Sequence, residues 1–175
     1  MAANRPLPTI TLPVITSAVI TRAVITPAVI TLVALCLTAT LAGCKDDRRE
    51  ERLREAGPRP TLARLLAVAD ADLGARKFGQ CAACHRTTPG APDLGGPNLY
   101  GVYGQPMGQT SQRFGYTAAL RSAGGRWDAP TLERWMKNPQ AVVPGTAMQF
   151  SGVPDALDRA DIIAYLQSQS PAAKR

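Results

Sequence analysis

The chain has 175 residues, which is enough for one globular domain with terminal extensions. Hydrophobic residues make up 45% of it, so a core can form, but aromatic residues make up only 5%, and there are 15 Gly and 15 Pro. This composition favours a small, loop-rich fold. A single histidine, His85, excludes any mechanism that needs two imidazoles, and four cysteines are too few for a disulfide-dense scaffold.

The net charge of +7 is spread over the chain, although basic residues are densest in one short segment. Residues 45–64 hold seven basic residues, whereas basic and acidic residues almost balance over residues 65–173. The balanced part contains no basic stripe interleaved with aromatic side chains. We therefore expect no nucleic acid partner.

Residues 1–43 have the layout of an export signal. Positive charge at Arg22 precedes an apolar stretch over residues 29–37, and small residues follow before Cys44. Residues 41–44, Leu-Ala-Gly-Cys, resemble the lipobox of bacterial lipoproteins, in which the cysteine is acylated and becomes the mature N-terminus. We expect lipidation at Cys44; an uncleaved membrane anchor over residues 23–44 and a soluble product cut nearby remain alternatives.

Residues 44–69 are predicted to be a lipid-anchored, charged linker. Up to residue 60 the segment mixes both charges with almost no apolar side chains, which is typical of a solvated chain. Leucines from residue 62 to residue 66 then follow at helical spacing and can add a turn against the next domain. That domain is predicted over residues 70–170, followed by a basic tail at 171–175.

The strongest chemical signal is a C-x-x-C-H sequence formed by Cys81, Cys84 and His85, the pattern that attaches c-type haem. Helix positions i, i+3 and i+4 share one face, so two thiols can form thioethers with the haem vinyl groups while the imidazole meets the iron. We expect one covalently attached haem c with its iron.

The same residues also occur in three other kinds of site. A thioredoxin-like redox pair needs a βαβ context, and a zinc site needs four ligands. A disulfide between Cys81 and Cys84 leaves the adjacent histidine without a role.

The sixth ligand of the iron decides what such a haem can do. Met148 ends a loop that reads Asn-Pro-x4-Pro-Gly-Thr-x-Met from residue 138. With this loop and C-x-x-C-H, residues 70–170 resemble class I cytochrome c, in the branch of mitochondrial cytochrome c and bacterial cytochrome c2. The resemblance implies an all-α fold of four to five short helices wrapped around one haem, with long Gly/Pro loops. It also implies that Met148 is the axial ligand opposite His85.

The same resemblance gives roles to further residues. Gly74 and Phe78 match the first helix of the family and Tyr165 the last, two helices that cross where the glycine admits the aromatic ring. The carbonyl of Pro97 is expected to accept a hydrogen bond from the ligand histidine, which fixes its tautomer. Three positions match the family's donors to the haem propionates: Tyr116, Trp127 and Thr146.

Local signals predict helices at matching places. Asp70 or Asp72 can cap a helix that runs towards the C-x-x-C-H sequence. Two glycines end a short helix over residues 118–123. Asp155 or Asp158 can cap a last helix.

A haem closed by His85 and Met148 has no free position for a substrate, and a thioether ligand favours Fe(II). We therefore expect a one-electron carrier and no enzyme activity. The lipobox resemblance implies tethering on the periplasmic side of a bacterial membrane, and the cytochrome c resemblance implies a carrier between respiratory complexes. Its donor is then a quinol-oxidising complex or dehydrogenase, and its acceptor a terminal oxidase or reductase. Two hypotheses remain beside it: a haem enzyme or gas-responsive domain with an open sixth site, and an accessory cytochrome subunit of a dehydrogenase.

Overall fold

The computed structural model describes residues 48–171. The helices of this part are α1 (Arg49–Ala56), α2 (Leu62–Ala67), α3 (Ala71–Lys77), a 3₁₀ helix (Phe78–Gln80), α4 (Ala118–Ser122), α5 (Ala129–Lys137), α6 (Pro139–Val142) and α7 (Ala156–Ser168). Its β structure is one isolated bridge between Pro106 and Arg126. The predicted all-α class with long loops is confirmed.

Some predictions fall on residues that the structure does not describe. The predicted export signal, the predicted lipidation site at Cys44 and residues 172–175 of the predicted basic tail lie outside residues 48–171. Among the described helices, none is both long and apolar enough to cross a membrane.

Of the seven α-helices in residues 48–171, six begin at a residue whose polar side chain caps them, and α1 begins without such a cap. The Asp70 carboxylate accepts hydrogen bonds from two backbone N–H groups of α3, at 2.9 and 3.0 Å. Asp155 does the same for α7 at 2.9 Å, so each predicted pair of caps resolves to its first member. At α4 the Thr117 hydroxyl accepts from the N–H of Leu120, and two glycines with positive φ follow the helix.

Helices α3 and α7 cross at a glycine. A Cβ on Gly74 would lie 2.0 Å from the carbonyl oxygen of Asp161 and 2.9 Å from the Cβ of Tyr165, so no other residue fits. One turn later the ring of Phe78 packs against Tyr165, with centroids 5.4 Å apart. This confirms the predicted crossing, which fixes the direction in which α3 delivers Cys81.

The main core lies between α5, α7 and the loops. Trp127 and Trp135 pack edge to face with ring centroids 5.0 Å apart, and Leu132, Ile162 and Leu166 are buried beside them. These side chains also form part of the wall of the cavity described below.

Residues 48–69, here called the arm, form α1 and α2 and pack on the domain. This corrects the prediction of a solvated chain for residues 48–60, whereas the turn expected from residue 62 onwards is present as α2. Ala56 and Leu65 of the arm are buried against Leu157 and Ala160 of α7. Because other residues of α7 line the cavity on its far side, this helix is buried on two faces.

Arginines of the arm bind carboxylates of the domain. Arg52 is buried, forms an ion pair with Asp161 and donates from Nε to the Val68 carbonyl at 2.8 Å. Arg49 pairs with Asp155 and Asp158 at the start of α7. The high local charge of the arm predicted that it is solvated. The carboxylates that pair with its arginines lie more than 100 residues later in the sequence, so no local pattern reveals them. The folded unit therefore includes residues before the predicted boundary at residue 70.

Candidate haem-binding site

One cavity of about 440 Å³ opens between the 3₁₀ helix, the loops and α5 and α7. Its walls are mainly apolar, and its size suits a prosthetic group. The structure brings every residue predicted for the haem site to this cavity: Cys81, Cys84, His85, Pro97, Tyr116, Trp127, Thr146 and Met148.

The C-x-x-C-H sequence forms a helical turn that continues the 3₁₀ helix. The N–H of His85 donates to the carbonyl of Cys81 at 2.9 Å, so the motif has the i to i+4 geometry that its spacing predicts. Cys81 and Cys84 form no disulfide within residues 48–171; Cys84 is exposed and Cys81 is half-buried. Burial raises the pKa of the Cys81 thiol to about 11, which reflects its apolar surroundings.

The imidazole of His85 is held in one tautomer. Its Nδ1 lies 2.8 Å from the carbonyl oxygen of Pro97, and because a carbonyl can only accept, Nδ1 carries the hydrogen and Nε2 keeps a free lone pair. Burial lowers the pKa of His85, although the bond to Pro97 opposes this, so the ring is neutral at pH 7. A Cβ on Gly96 would lie 2.3 Å from the ring, so a glycine is required there.

Two methionines line the cavity, and they differ in backbone setting. Met136 is buried in the regular helix α5, whereas Met148 is half-buried in the loop after α6. A turn bond from the Thr146 N–H to the Val143 carbonyl, at 3.1 Å, shapes that loop. Gly145 provides the positive φ of +86° that the turn needs.

Polar groups of the cavity wall include one hydroxyl that lacks a hydrogen bond. Thr110 Oγ1 is buried and makes no hydrogen bond of good geometry within residues 48–171. The Tyr116 hydroxyl next to it accepts from the N–H of Ser111 at 3.1 Å, and burial raises the pKa of Tyr116. An unsatisfied buried hydroxyl is costly, so the wall is built for a ligand that brings acceptors. No motif distinguishes Thr110, and sequence reasoning missed it.

Sequence reasoning also missed Asp93, which joins two walls of the cavity. One of its carboxylate oxygens accepts from the N–H of Asn98 at 2.7 Å, next to Pro97. The other accepts from the Ser111 hydroxyl at 2.7 Å, in the loop that carries Thr110. Asp93 therefore fixes the acceptor of the His85 hydrogen relative to the polar wall.

These groups fit a covalently bound haem. Two thiols stand beside an imidazole with one free nitrogen, and a thioether, apolar walls and an unsatisfied hydroxyl complete the cavity. The described residues contain neither a disulfide nor a group of three or more metal-binding side chains, and no βαβ unit flanks the motif. The fold and the site thus define a small all-α protein of the single-haem c type.

Comparison with known proteins agrees, although no protein-family model matches the chain. The chain is 43% identical over 97 residues to a cytochrome c2 of Rhodoblastus acidophilus, a match that spans 90% of that protein and 55% of this chain. It is 42% identical over 113 residues, 65% of the chain, to a cytochrome c homolog of Bradyrhizobium diazoefficiens, and spans 61% of that protein's length. Among solved structures, cytochrome cH from Methylobacterium extorquens matches with a TM-score of 0.54 and 37% identity, over 57% of this chain and 99% of that one.

The chain belongs to the class I cytochrome c family. It accordingly carries one covalently bound haem c with its iron, and Cys81 and Cys84 fit the attachment site.

Proposed function

We propose that the protein is a one-electron carrier in which His85 and Met148 are the axial ligands of the haem iron. The observation that supports this best is that a single cavity contains both the Met148 side chain and an imidazole whose Nδ1 is engaged by Pro97. The haem supplies a metal centre that alternates between Fe(III) and Fe(II). With both axial positions filled from the protein, no position is left for a substrate.

The surrounding residues adapt the site to electron transfer. The Pro97 carbonyl holds the imidazole in one orientation and makes its free nitrogen a better ligand. Apolar walls exclude water and favour the less charged Fe(II) form, as a thioether ligand also does. Tyr116, Trp127 and Thr146 are proposed donors to the propionates, and Thr110, whose buried hydroxyl makes no hydrogen bond of good geometry within residues 48–171, is a further one.

Carbon monoxide binding to the reduced holoprotein tests the ligand assignment. The wild type should bind it weakly, whereas Met148→Ala should keep the covalent haem and bind it readily. Met136→Leu is the matched control, because it alters the other methionine of the cavity and leaves the loop intact. If Met148→Ala stays closed to carbon monoxide with an unchanged reduction potential, Met148 is not the ligand. A wild type that binds it freely supports instead a haem enzyme or a gas-responsive domain.

We further propose that the mature protein is acylated at Cys44 and lies on the periplasmic side of a bacterial membrane. The sequence of residues 41–44 supports this. Because the arm is packed on the domain from residue 48 onwards, at most four residue steps separate it from Cys44, a reach of roughly 15 Å. A tether this short would keep the domain at the membrane surface, close to membrane-bound partners.

The test is the mass of the purified mature N-terminus. An acylated Cys44 is expected in the wild type, and Cys44→Ser should abolish acylation while Cys36→Ser retains it. A mature protein that begins elsewhere and has no acyl mass contradicts the anchor and leaves the electron-transfer proposal intact.

The proposed partners are a quinol-oxidising complex or dehydrogenase as donor and a terminal oxidase or reductase as acceptor. A free carrier should exchange between them, whereas an accessory subunit should stay with one dehydrogenase. Affinity purification from detergent-solubilised membranes, at low and high salt, distinguishes the two. Constant stoichiometric recovery of one dehydrogenase under both conditions would favour the accessory subunit.

A further inference from the structure

The side chain of Gln140 bridges two carbonyl groups of the loop that carries Met148. Its Nε2 lies 2.9 Å from the carbonyl oxygen of Thr146 and 3.3 Å from that of Met148 itself. A primary amide nitrogen carries two hydrogens, so both bonds can form at once. The bridge therefore spans the last turn before the proposed axial sulfur.

The base of this bridge is rigid. Gln140 lies in α6, where the Asn138 side chain accepts from the N–H of Ala141 at 3.1 Å. The carbonyl of Pro139 accepts from the N–H of Val143 at 2.9 Å, and Pro139 itself is buried. The amide is consequently presented from a fixed, capped turn and not from a mobile surface segment.

The loop depends on few other bonds. Within the described residues, its remaining contacts of this kind are the turn bond from Thr146 to Val143 and a long bond, 3.4 Å, from the Met148 N–H to the Thr146 hydroxyl. No other described group donates to the two bridged carbonyls. Loss of the amide would free both at once and leave Met148 on a loop with one short hydrogen bond.

We propose that Gln140 is a positioning residue that holds the Met148 thioether in place for the iron. The proposal rests on the proposed ligation by Met148 and assigns to this chain a clamp that acts on the ligand through its backbone. Gln140 itself need not touch the haem. Its expected effect is on how often the sixth position opens and not on whether haem is attached.

The test compares Gln140→Glu, Gln140→Ala and the control Gln169→Ala in the haem-loaded protein. Glutamate keeps the size of the side chain but, when ionised, has no hydrogen to donate. Gln169 is half-buried just after α7 and donates to the Ser168 hydroxyl at 3.1 Å, so its loss removes a comparable bond far from Met148 in sequence. Carbon monoxide affinity of the reduced form and the iron–sulfur absorption band of the oxidised form are the readouts.

Loss of the equivalent of one net hydrogen bond should raise the open fraction about three- to tenfold in both Gln140 variants. Their carbon monoxide affinity should rise by the same factor. When the pH is raised, the absorption band of the iron–methionine bond should disappear at a lower pH than it does in the wild type. Gln169→Ala should match the wild type in both readouts.

Two outcomes overturn the proposal, and they can be told apart. If the wild type shows the band and excludes carbon monoxide, and both Gln140 variants match it, the clamp is refuted while methionine ligation stands. If the wild type itself lacks the band and binds carbon monoxide freely, ligation by Met148 fails, and the clamp fails with it.

Discussion

The ion pair between Arg52 and Asp161 should be a major source of the stability that the arm adds to the domain. The two side chains are 7% and 1% exposed. The Asp161 carboxylate also accepts from the N–H of Asp70 at 2.9 Å, where the arm meets α3. Arg52→Ala would therefore leave a buried carboxylate with one remaining donor.

Breaking a buried pair by removing one partner costs about 3–5 kcal/mol. For a domain of this size, this corresponds to a fall in Tm of roughly 10–20 °C. The control is Arg48→Ala, which breaks the pair between Arg48 and Asp70, whose side chains are 67% and 24% exposed. An exposed pair contributes about 0–1 kcal/mol, so this variant should melt within a few degrees of the wild type.

The assay is thermal and urea unfolding of the holoprotein, followed by circular dichroism and by the haem absorption. A double variant, Arg52→Leu with Asp161→Leu, should recover part of the loss, because apolar side chains can replace a buried pair, although the Asp70 N–H and the Val68 carbonyl would lose these bonds. If Arg52→Ala and Arg48→Ala are equally stable, the buried pair between Arg52 and Asp161 does not hold the arm on the domain.

The penalty should also depend on pH. Burial raises the pKa of Asp161, and the Asp70 N–H and Arg52 oppose the shift. Removing Arg52 should therefore raise the pKa of this carboxyl further. A group with a raised pKa costs stability only while it is ionised, so the deficit of Arg52→Ala should shrink as pH falls from about 7 to about 5. A deficit that grows over this range would contradict the assignment.

Three further predictions follow from single contacts. Gly74→Ala should destabilise the protein by at least about 1–3 kcal/mol in urea unfolding, because its Cβ would lie 2.0 Å from a carbonyl of α7. Gly79→Ala should not destabilise the protein, because its Cβ would lie in open space. If the Gly74→Ala and Gly79→Ala variants are equally stable, the close crossing of α3 and α7 is refuted. Hydrogen bonds from the side chain and N–H of Thr131 lower the pKa of Asp128. The stabilising effect of the Asp128 carboxylate should therefore be lost as pH falls below about 4. Asp128→Asn cannot titrate, so its Tm should fall less than that of the wild type between about pH 5 and about pH 3, and an equal fall would contradict this. Thr110→Val should destabilise the haem-loaded protein by about 1–3 kcal/mol if the haem is the partner of its hydroxyl, whereas a variant as stable as the wild type would show that the hydroxyl has none.

The parts of the site that lie in short motifs could be predicted from the sequence. The spacing of Cys81, Cys84 and His85 is set by one helical turn, and the structure has that turn. Gly74 was recognised because only glycine permits the crossing of two helices whose family pattern the chain shares. The first prediction depends only on neighbours in sequence, and the second depends on a resemblance that covers the whole domain.

The remaining features depend on contacts between distant residues. The charge of residues 48–60 predicted solvation, but Arg52 finds its carboxylate 109 residues later, and burial of the pair reverses the expectation. Thr110 and Asp93 lie in loops of ordinary composition, and their roles follow from what the folded chain places beside them. Gln140 is close to Met148 in sequence, yet the direction of its amide becomes known only from the turn that α6 makes.

Axial ligation of the haem iron by both His85 and Met148 is tested most directly by an absorption spectrum of the purified holoprotein. The oxidised protein should show the weak absorption band of the iron–thioether bond, and the reduced spectrum should change little when carbon monoxide is added. Absence of the band, together with a carbon monoxide complex of the wild type, would contradict the assignment of the protein as a closed, one-electron carrier.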